Sequence, residues 1–397
     1  MQRTLLTVFF MTCWAGLAFA QTPIPDRAVA DQARPPVPAA PQLGADSYIL
    51  VDFNSGDALV EHRPDERVEP ASITKVMTSY VVFRELTEDN IALDDVVPIS
   101  EKAWRIGGSR MFIEPGMEVT LEELLRGMVI QSGNDASVAL AEYVAGSEEA
   151  FAGLMNHYAE TLGMHNTHFT NATGWPGPEH YTTARDIATL SIALIRDFPD
   201  YYRWYSEKEY TFNEIRQHNR NTLLWRDPAI DGLKTGHTEA AGYCLAASAK
   251  RDGMRLISVV MGSASESSRA SESQTLLNYG FRFFETVKLY EAGQELARGR
   301  VWKGLVDEVA LGLASELFVT IPRGRYDDLD ARVELQPDLS APLEQGAVVG
   351  TMNISLGDEP VASRDLVTLA GVAEAGWVGR SWDSLKLWVN GLFDDAE

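Results

Sequence analysis

From Tyr48 onward, apolar and polar positions follow two different periods. YILVDFNSGDALVEH, residues 48–62, alternates as a strand does and breaks at Asn54-Ser55-Gly56-Asp57, a cluster of turn formers. It predicts two strands joined by a turn. The next apolar set, Val76, Met77, Tyr80, Val81 and Phe83, has helical spacing and predicts a helix beginning near Ser72. Helical periodicity continues between about 120 and 200, in LEELLRGMVI, SVALAEYVA and ARDIATLSIALI. Strands are predicted again from Gly242 to Ala249 and from Arg255 to Met261. SQTLLNYGFRFFETV then reads as a closing helix. Strand, helices, strands, helix in that order predict an α/β domain with one mixed sheet covered by helices.

From about 287 the texture changes. Short alternating runs such as RVWKG, ELFVTIP, DARVEL and VVGTMNISL lie between Gly, Pro and Asp turns, which predicts a small β-rich domain. After residue 373 helical spacing returns. Val378, Trp382, Leu385, Val389 and Leu392 form one apolar stripe, widened by Trp388 and Phe393. Such a stripe with aromatic residues suits a helix lying in a membrane interface. The tail's charge opposes anionic lipid, since Asp383, Asp394, Asp395 and Glu397 outnumber Arg380 and Lys386.

The first residues follow another logic. MQRTLLTVFFMTCWAGLAFA places Arg3 before an apolar run and ends in Ala-Phe-Ala, the order of a secretory signal peptide. Cleavage after Ala20 would leave Cys244 as the one remaining cysteine, so no internal disulfide is predicted in spite of export. Residues 21–43 carry six prolines, at 23, 25, 35, 36, 38 and 41, and read as an extended tether. The predicted organisation is therefore 1–20 signal peptide, 21–43 linker, 44–286 α/β domain, 287–373 β-rich domain and 374–397 amphipathic helix. A net charge of −23 excludes nucleic acid as a natural partner, because phosphate binding needs a basic face.

The chemistry gathers at three short stretches. In EPASITKVMTSYVVF, residues 69–83, Lys75 follows Ser72 by three places, and residues i and i+3 share a helix face. A serine hydroxyl is a weak nucleophile without a base. A lysine titrates at about 10.4 in water and becomes a base near neutrality only when burial and nearby cations lower that value. Taken alone, the pair reads more readily as an N-cap serine and a solvated lysine than as a nucleophile and its base. Ser132-Gly133-Asn134 lies where one predicted helix ends and the next begins. Lys234-Thr235-Gly236 precedes the strand at Tyr243, where a cation, a hydroxyl and a bare backbone suit an anionic substrate.

The ordered set S-x-x-K, S-x-N, K-T-G matches the motifs of serine acyltransferases that react with penicillin. The chain resembles the low-molecular-mass penicillin-binding proteins, specifically the D-alanyl-D-alanine carboxypeptidases, from about residue 44 to its end. PASITKVMTSY, GGSRMFIEPG, QSGNDASVALAE, QHNRNTLLW, DGLKTGHTEAAGY and SSRASESQTLLNYGFRFFE carry the resemblance. It implies a β-lactamase/transpeptidase-like fold. It also implies that Ser72 attacks the penultimate D-alanine of a peptidoglycan pentapeptide stem, with Lys75 as base. Ser132 would relay a proton to the leaving amine, helped by Lys234. Asn134 would hold the substrate backbone, and the N–H groups of Ser72 and His237 would form the oxyanion hole. Thr235, with Arg220 or Arg269, would hold the terminal carboxylate beside Gly236. β-Lactam antibiotics would be covalent inhibitors, no metal or other cofactor is needed, and the tail would bind the outer face of the inner membrane from the periplasm. His165 and His168, in HNTHFTNATG, read as loop residues.

Three rival readings remain at this point. A class A-like β-lactamase needs a glutamate for deacylation, and neither Glu149 nor Glu160 has the expected Leu-Asn two residues on. A DD-endopeptidase differs only in the shape of the leaving-group side. A non-catalytic peptidoglycan-binding scaffold would not need every reactive residue.

Overall fold

The computed structural model describes residues 20–25 and 36–377. The signal peptide before residue 20 and the amphipathic stripe from Val378 onward lie outside these residues. The described chain forms two compact units. One is built from residues 36–286 and the other from residues 287 onward together with the N-terminal segment before 36.

In the first unit a five-stranded sheet has the order β2-β1-β7-β6-β5, antiparallel throughout. Its strands are β1 Ser47–Asp52, β2 Ala58–His62, β5 Ile230–Thr238, β6 Gly242–Arg251 and β7 Met254–Ser263. Strand β1 is buried along its whole length and divides its side chains between two cores. Ile49 and Val51 point into the larger core, while Tyr48 and Leu50 point into a second one. Strand β6 repeats the division, with Cys244 and Ala246 on one face and Leu245, Ala247 and Ala249 on the other. That is the period of two, read by two apolar layers instead of one.

Helices supply both layers. Helix α6, Glu266–Phe283, covers the second core with Ala270, Leu276, Leu277 and Phe281. The larger core is built by α1 Lys75–Thr87, α2 Leu121–Gln131, α3 Asn134–Ala145, α4 Glu148–Thr161 and α5 Ala184–Asp197. Helix α1 is buried almost all round, which suits a central helix. Helix α2 begins at a reciprocal cap. Thr120 accepts from the Glu123 N–H, and Glu123 accepts from the Thr120 N–H at 2.9 Å. A small hairpin, β3 Glu209–Phe212 and β4 Ile215–His218, was not expected from the sequence.

Several expectations need correction. Ser72 does not start an α-helix. It sits in a 3₁₀ turn, Ala71–Thr74, and α1 begins at Lys75. The closing helix stops at Phe283, and Phe284–Tyr290 is a strand. RVWKG is not a strand over its length: pairing ends at Arg300, and Trp302 and Gly304 make isolated bridges. The described parts of the proline-rich stretch are not free tethers. Tyr290 and Tyr326 donate to the carbonyls of Pro23 and Pro25 at 3.4 and 2.7 Å. Tyr279 and Tyr48 donate to those of Pro38 and Pro41.

The second unit is β-rich. Its six-stranded sheet runs Ala20–Gln21, β10, β11, β12, β9, β8, with β8 Ala297–Arg300, β9 Glu308–Leu313, β10 Leu329–Leu335, β11 Val348–Leu356 and β12 Glu359–Thr368. Leu311, Leu313, Val333, Met352, Ile354 and Leu366 fill its core. Among the described residues, no helix is long and apolar enough to cross a membrane.

Candidate active site

Ser72 reaches its position through a strained turn. Ala71 has φ of +47°, a left-handed conformation that costs a residue with a Cβ about 1–2 kcal/mol. The turn is held from both sides by glycines. A Cβ on Gly174 would lie 1.7 Å from the Ala71 carbonyl oxygen, and one on Gly236 would lie 3.1 Å from the Pro70 carbonyl oxygen. Bare backbone is therefore what lets these two segments close on the serine.

One turn on, Lys75 is buried. Its Nζ lies 2.9 Å from Ser72 Oγ, 2.8 Å from Asn134 Oδ1 and 2.6 Å from the Thr173 carbonyl oxygen. The last two are acceptors with no hydrogen to give. A neutral amine has two N–H groups and one lone pair. If the N–H groups serve Asn134 and Thr173, the lone pair faces the Ser72 hydroxyl. Burial first, and then the Arg220 guanidinium, against the opposing pull of Asp135, lower the Lys75 pKa from 10.5 to about 7. The amine is thus available as a base close to neutral pH.

Ser132 and Asn134 come from the junction of α2 and α3. Ser132 ends α2 in a left-handed conformation, φ +68°, and Asn134 opens α3. Ser132 Oγ accepts from Lys234 Nζ at 2.9 Å. Asn134 Nδ2 donates to the Gly107 carbonyl at 2.8 Å. Asp135, which the sequence reading did not single out, fixes the adjoining loop by accepting from the N–H groups of Met111, Phe112 and Ile113. Its acidic position in the first turn of α3 was the one available signal.

Lys234, Thr235 and Gly236 lie on β5, the edge strand of the sheet, so alternate N–H and C=O groups are left unpaired by strand neighbours. Lys234 is buried, and burial followed by the Lys75 charge holds its amine well below the usual lysine range. His237 is exposed and stacks on Tyr243 with centroids 4.0 Å apart.

The two arginines differ. Arg269 is buried; its guanidinium donates to the Gly236 carbonyl at 3.1 Å and pairs with Glu266 at 3.6 Å. Arg220 is exposed, and none of the described residues gives it a hydrogen bond or ion pair. Its backbone is clamped between two buried asparagines: Asn219 bonds the carbonyls of Tyr205 and Glu207, and Asn221 that of Gly232.

Three further residues frame this cluster. Thr173, an acceptor for Lys75, sits in a turn whose three N–H groups at 173–175 and Thr173 hydroxyl converge on Asn171 Oδ1. His180 bridges Thr74 Oγ1, at 2.9 Å, to the Thr170 N–H, at 3.0 Å. Because Nδ1 accepts from a backbone N–H, the ring is neutral, and burial lowers its pKa to about 4. Glu148 accepts from the Ala172 N–H and pairs with Lys102 at 2.8 Å. Elsewhere, Asp186 accepts from Asn166 and Thr167, His165 faces Glu160, and His168 bonds the Glu179 carbonyl. Cys244 is a buried, unpaired core residue.

The chain's relatives agree with this fold. Residues 34–265 match the family model described as D-alanyl-D-alanine carboxypeptidase, and residues 284–374 match the penicillin-binding protein 5 C-terminal domain. The chain is 47% identical to the D-alanyl-D-alanine carboxypeptidase DacA of Escherichia coli (strain K12) over 359 residues, covering 88% of this chain and 89% of that protein. The crystal structure of penicillin-binding protein 5 from Haemophilus influenzae superposes with a TM-score of 0.82 at 44% identity, over 85% of this chain and 99% of that one. Penicillin-binding protein D2 of Listeria monocytogenes, solved with ampicillin bound, superposes with a TM-score of 0.56 at 28% identity, over 60% of this chain and 98% of that one. The chain belongs to the D-alanyl-D-alanine carboxypeptidase family of penicillin-binding proteins.

Proposed function

We propose that the chain is a serine-type DD-carboxypeptidase that removes the terminal D-alanine from peptidoglycan pentapeptide stems through an acyl-enzyme on Ser72. The observation that carries the reading is the setting of Lys75, a buried amine 2.9 Å from the Ser72 hydroxyl whose other two neighbours are carbonyl oxygens. Lys75 takes the Ser72 proton as Oγ bonds to the carbonyl carbon of the penultimate D-alanine. The N–H groups of Ser72 and His237 stabilise the oxyanion. When the C–N bond breaks, Ser132, backed by Lys234, returns a proton to the departing amine. Water then cleaves the ester. Asn134 and β5 align the peptide.

The leaving residue carries a carboxylate. Thr235 and Arg220 are the donors we assign to it, because the exposed Arg220 guanidinium has no partner among the described residues while Asn219 and Asn221 fix the backbone on either side of it. Arg269 acts on the same strand through the Gly236 carbonyl. The likeness to an ampicillin complex supports β-lactams as covalent inhibitors acting at Ser72. A lactamase reading is disfavoured by the glutamates of α4: Glu148 is engaged by Ala172 and Lys102, Glu149 lies against Lys102 at 3.7 Å on the surface, and Glu160 is exposed and faces His165 at 3.6 Å. The leader-like first 20 residues support export to the periplasm, and the stripe within 374–397 supports peripheral binding to the inner membrane.

The test is release of free D-alanine from a peptide ending in D-Ala-D-Ala. Wild type is expected to release it, and Ser72→Ala to release none above background. Absence of release by wild type overturns the reading, as does release by the variant.

A further inference from the structure

The Ser72 turn and strand β5 are also joined by a side-chain contact outside the reactive cluster. Thr238, the last residue of β5, donates through Oγ1 to Glu69 Oε2 at 3.1 Å. Glu69 stands shortly before Ser72 in the chain, and Thr238 directly follows His237. Both are half-buried. Each end of the contact is anchored. Val68 exchanges both backbone hydrogen bonds with Thr182, at 2.8 and 2.9 Å, which fixes the chain leading into Glu69. The Thr238 hydroxyl accepts from the Ala241 N–H at 2.9 Å, inside the turn between β5 and β6, and its one proton goes to Glu69. Between these ends the backbones touch. A Cβ on Gly236 would lie 3.1 Å from the Pro70 carbonyl oxygen and 3.2 Å from the Ala71 Cβ. The Gly236 carbonyl is turned to the Arg269 guanidinium, so the His237 N–H of the same planar peptide points away from it.

We infer that Glu69 and Thr238 are positioning residues, whose hydrogen bond fixes the separation of the Ser72 and His237 N–H groups and with it the width of the oxyanion hole. This rests on the carboxypeptidase reading above, which assigns those two N–H groups to the oxyanion. Such donors stabilise developing charge only if they are held at the right distance beforehand. The packing of Gly236 on Pro70 and Ala71 opposes approach of the two segments, but packing does not oppose their separation. A hydrogen bond to a carboxylate does, and it is stronger than one between neutral groups. Neither side chain needs to touch the substrate or move a proton. Its effect therefore falls on the step that forms the oxyanion, and not on the binding that precedes it.

The experiment follows acylation of Ser72 by benzylpenicillin in stopped flow over a range of concentrations, well below the melting point. This separates the dissociation constant of the first complex from the rate constant of acylation. Glu69→Ala leaves the Ala241 contact in place and is expected to lower that rate constant roughly tenfold, with the dissociation constant changed by less than about twofold. Thr238→Val should do the same. The double variant should be no slower than the slower single variant by more than about twofold, since both remove one bond. Glu69→Gln and Thr238→Ser retain an acceptor and a donor, and each should restore most of the rate. A Glu69→Ala rate constant equal to that of wild type, even with a lowered Tm, overturns the inference. So do losses that multiply in the double variant, or a loss that falls mainly on the dissociation constant. These outcomes leave the carboxypeptidase reading intact, because wild type still acylates. Absence of a Ser72 adduct in wild type overturns both.

Discussion

Replacing Lys75 with methionine is expected to lower kcat/KM for a D-Ala-D-Ala peptide by roughly 10²–10⁴-fold, the range that a positioned base contributes. Methionine fills a similar volume but offers Ser72 Oγ no lone pair of comparable basicity. The same substitution has a signature in stability. The folded protein protonates Lys75 only below about pH 7, whereas the unfolded chain holds that proton up to the ordinary lysine value of 10.5. Between those limits the unfolded state binds more protons, so the burden that Lys75 places on folding shrinks as pH rises and is greatest at or below 7. Methionine removes that burden and leaves Asn134 Oδ1 and the Thr173 carbonyl without their donor. The difference in Tm between variant and wild type should therefore move in favour of the variant as pH falls from about 9 to about 6. Paired thermal melts across that range check it, and a difference that stays flat would mean that Lys75 carries its proton at all these pH values.

Gly174→Ala is the second large effect, and it contains no chemistry. The added Cβ would fall 1.7 Å from the Ala71 carbonyl oxygen, 2.3 Å from its carbon and 3.0 Å from the Ser72 nitrogen. These are backbone atoms, so no side-chain rotation relieves the contact. Gly174 also has φ of +85°, which disfavours any Cβ. One of two segments must move, and both matter: the Ala71–Thr74 turn carries Ser72, and the 171–175 loop carries the carbonyl that Lys75 donates to. Destabilisation of roughly 2–5 kcal/mol is expected from strain and overpacking together. Acylation of protein that remains folded should fall by roughly 10²-fold or more, since about 1 Å of misplacement is enough for that. Circular dichroism with acylation rates measured well below the melting point separates the two effects. A variant with wild-type Tm and rate would mean that the two backbones do not approach as described.

What the sequence made legible was local. Ser72 and Lys75 lie within one turn, so their spacing alone brings hydroxyl and amine within reach. The unbroken apolar run Tyr48–Val51 marks a strand, and its lack of polar alternation fits the burial of both faces by separate cores. Ser132-Gly133-Asn134 announces itself by sitting between two helical periodicities. What was not legible depends on backbone arriving from far away. The Thr173 carbonyl, 98 residues from Lys75, has no side-chain signature, and Gly174 looks like any loop glycine until the Ala71 carbonyl is seen against it. Arg220 and Arg269 were equivalent in sequence and became distinct only through their partners, one committed to Gly236 and the other unclaimed. The proline-rich stretch misled for a physical reason. Extended proline segments cannot build a core, yet their carbonyls remain free to accept, and tyrosines at 48, 279, 290 and 326 use them. RVWKG misled because alternation also occurs where single bridges, not ladders, hold the chain.

The central claim is that one hydroxyl meets an uncharged amine. The most direct measurement is the single-turnover rate of Ser72 acylation by benzylpenicillin as a function of pH, with the modified residue located by peptide mapping. The account predicts a covalent adduct on Ser72 whose rate of formation climbs through about pH 7 to a plateau, following loss of the Lys75 proton. A rate that keeps rising toward the ordinary lysine range near 10.4, or an adduct on any other residue, would contradict it.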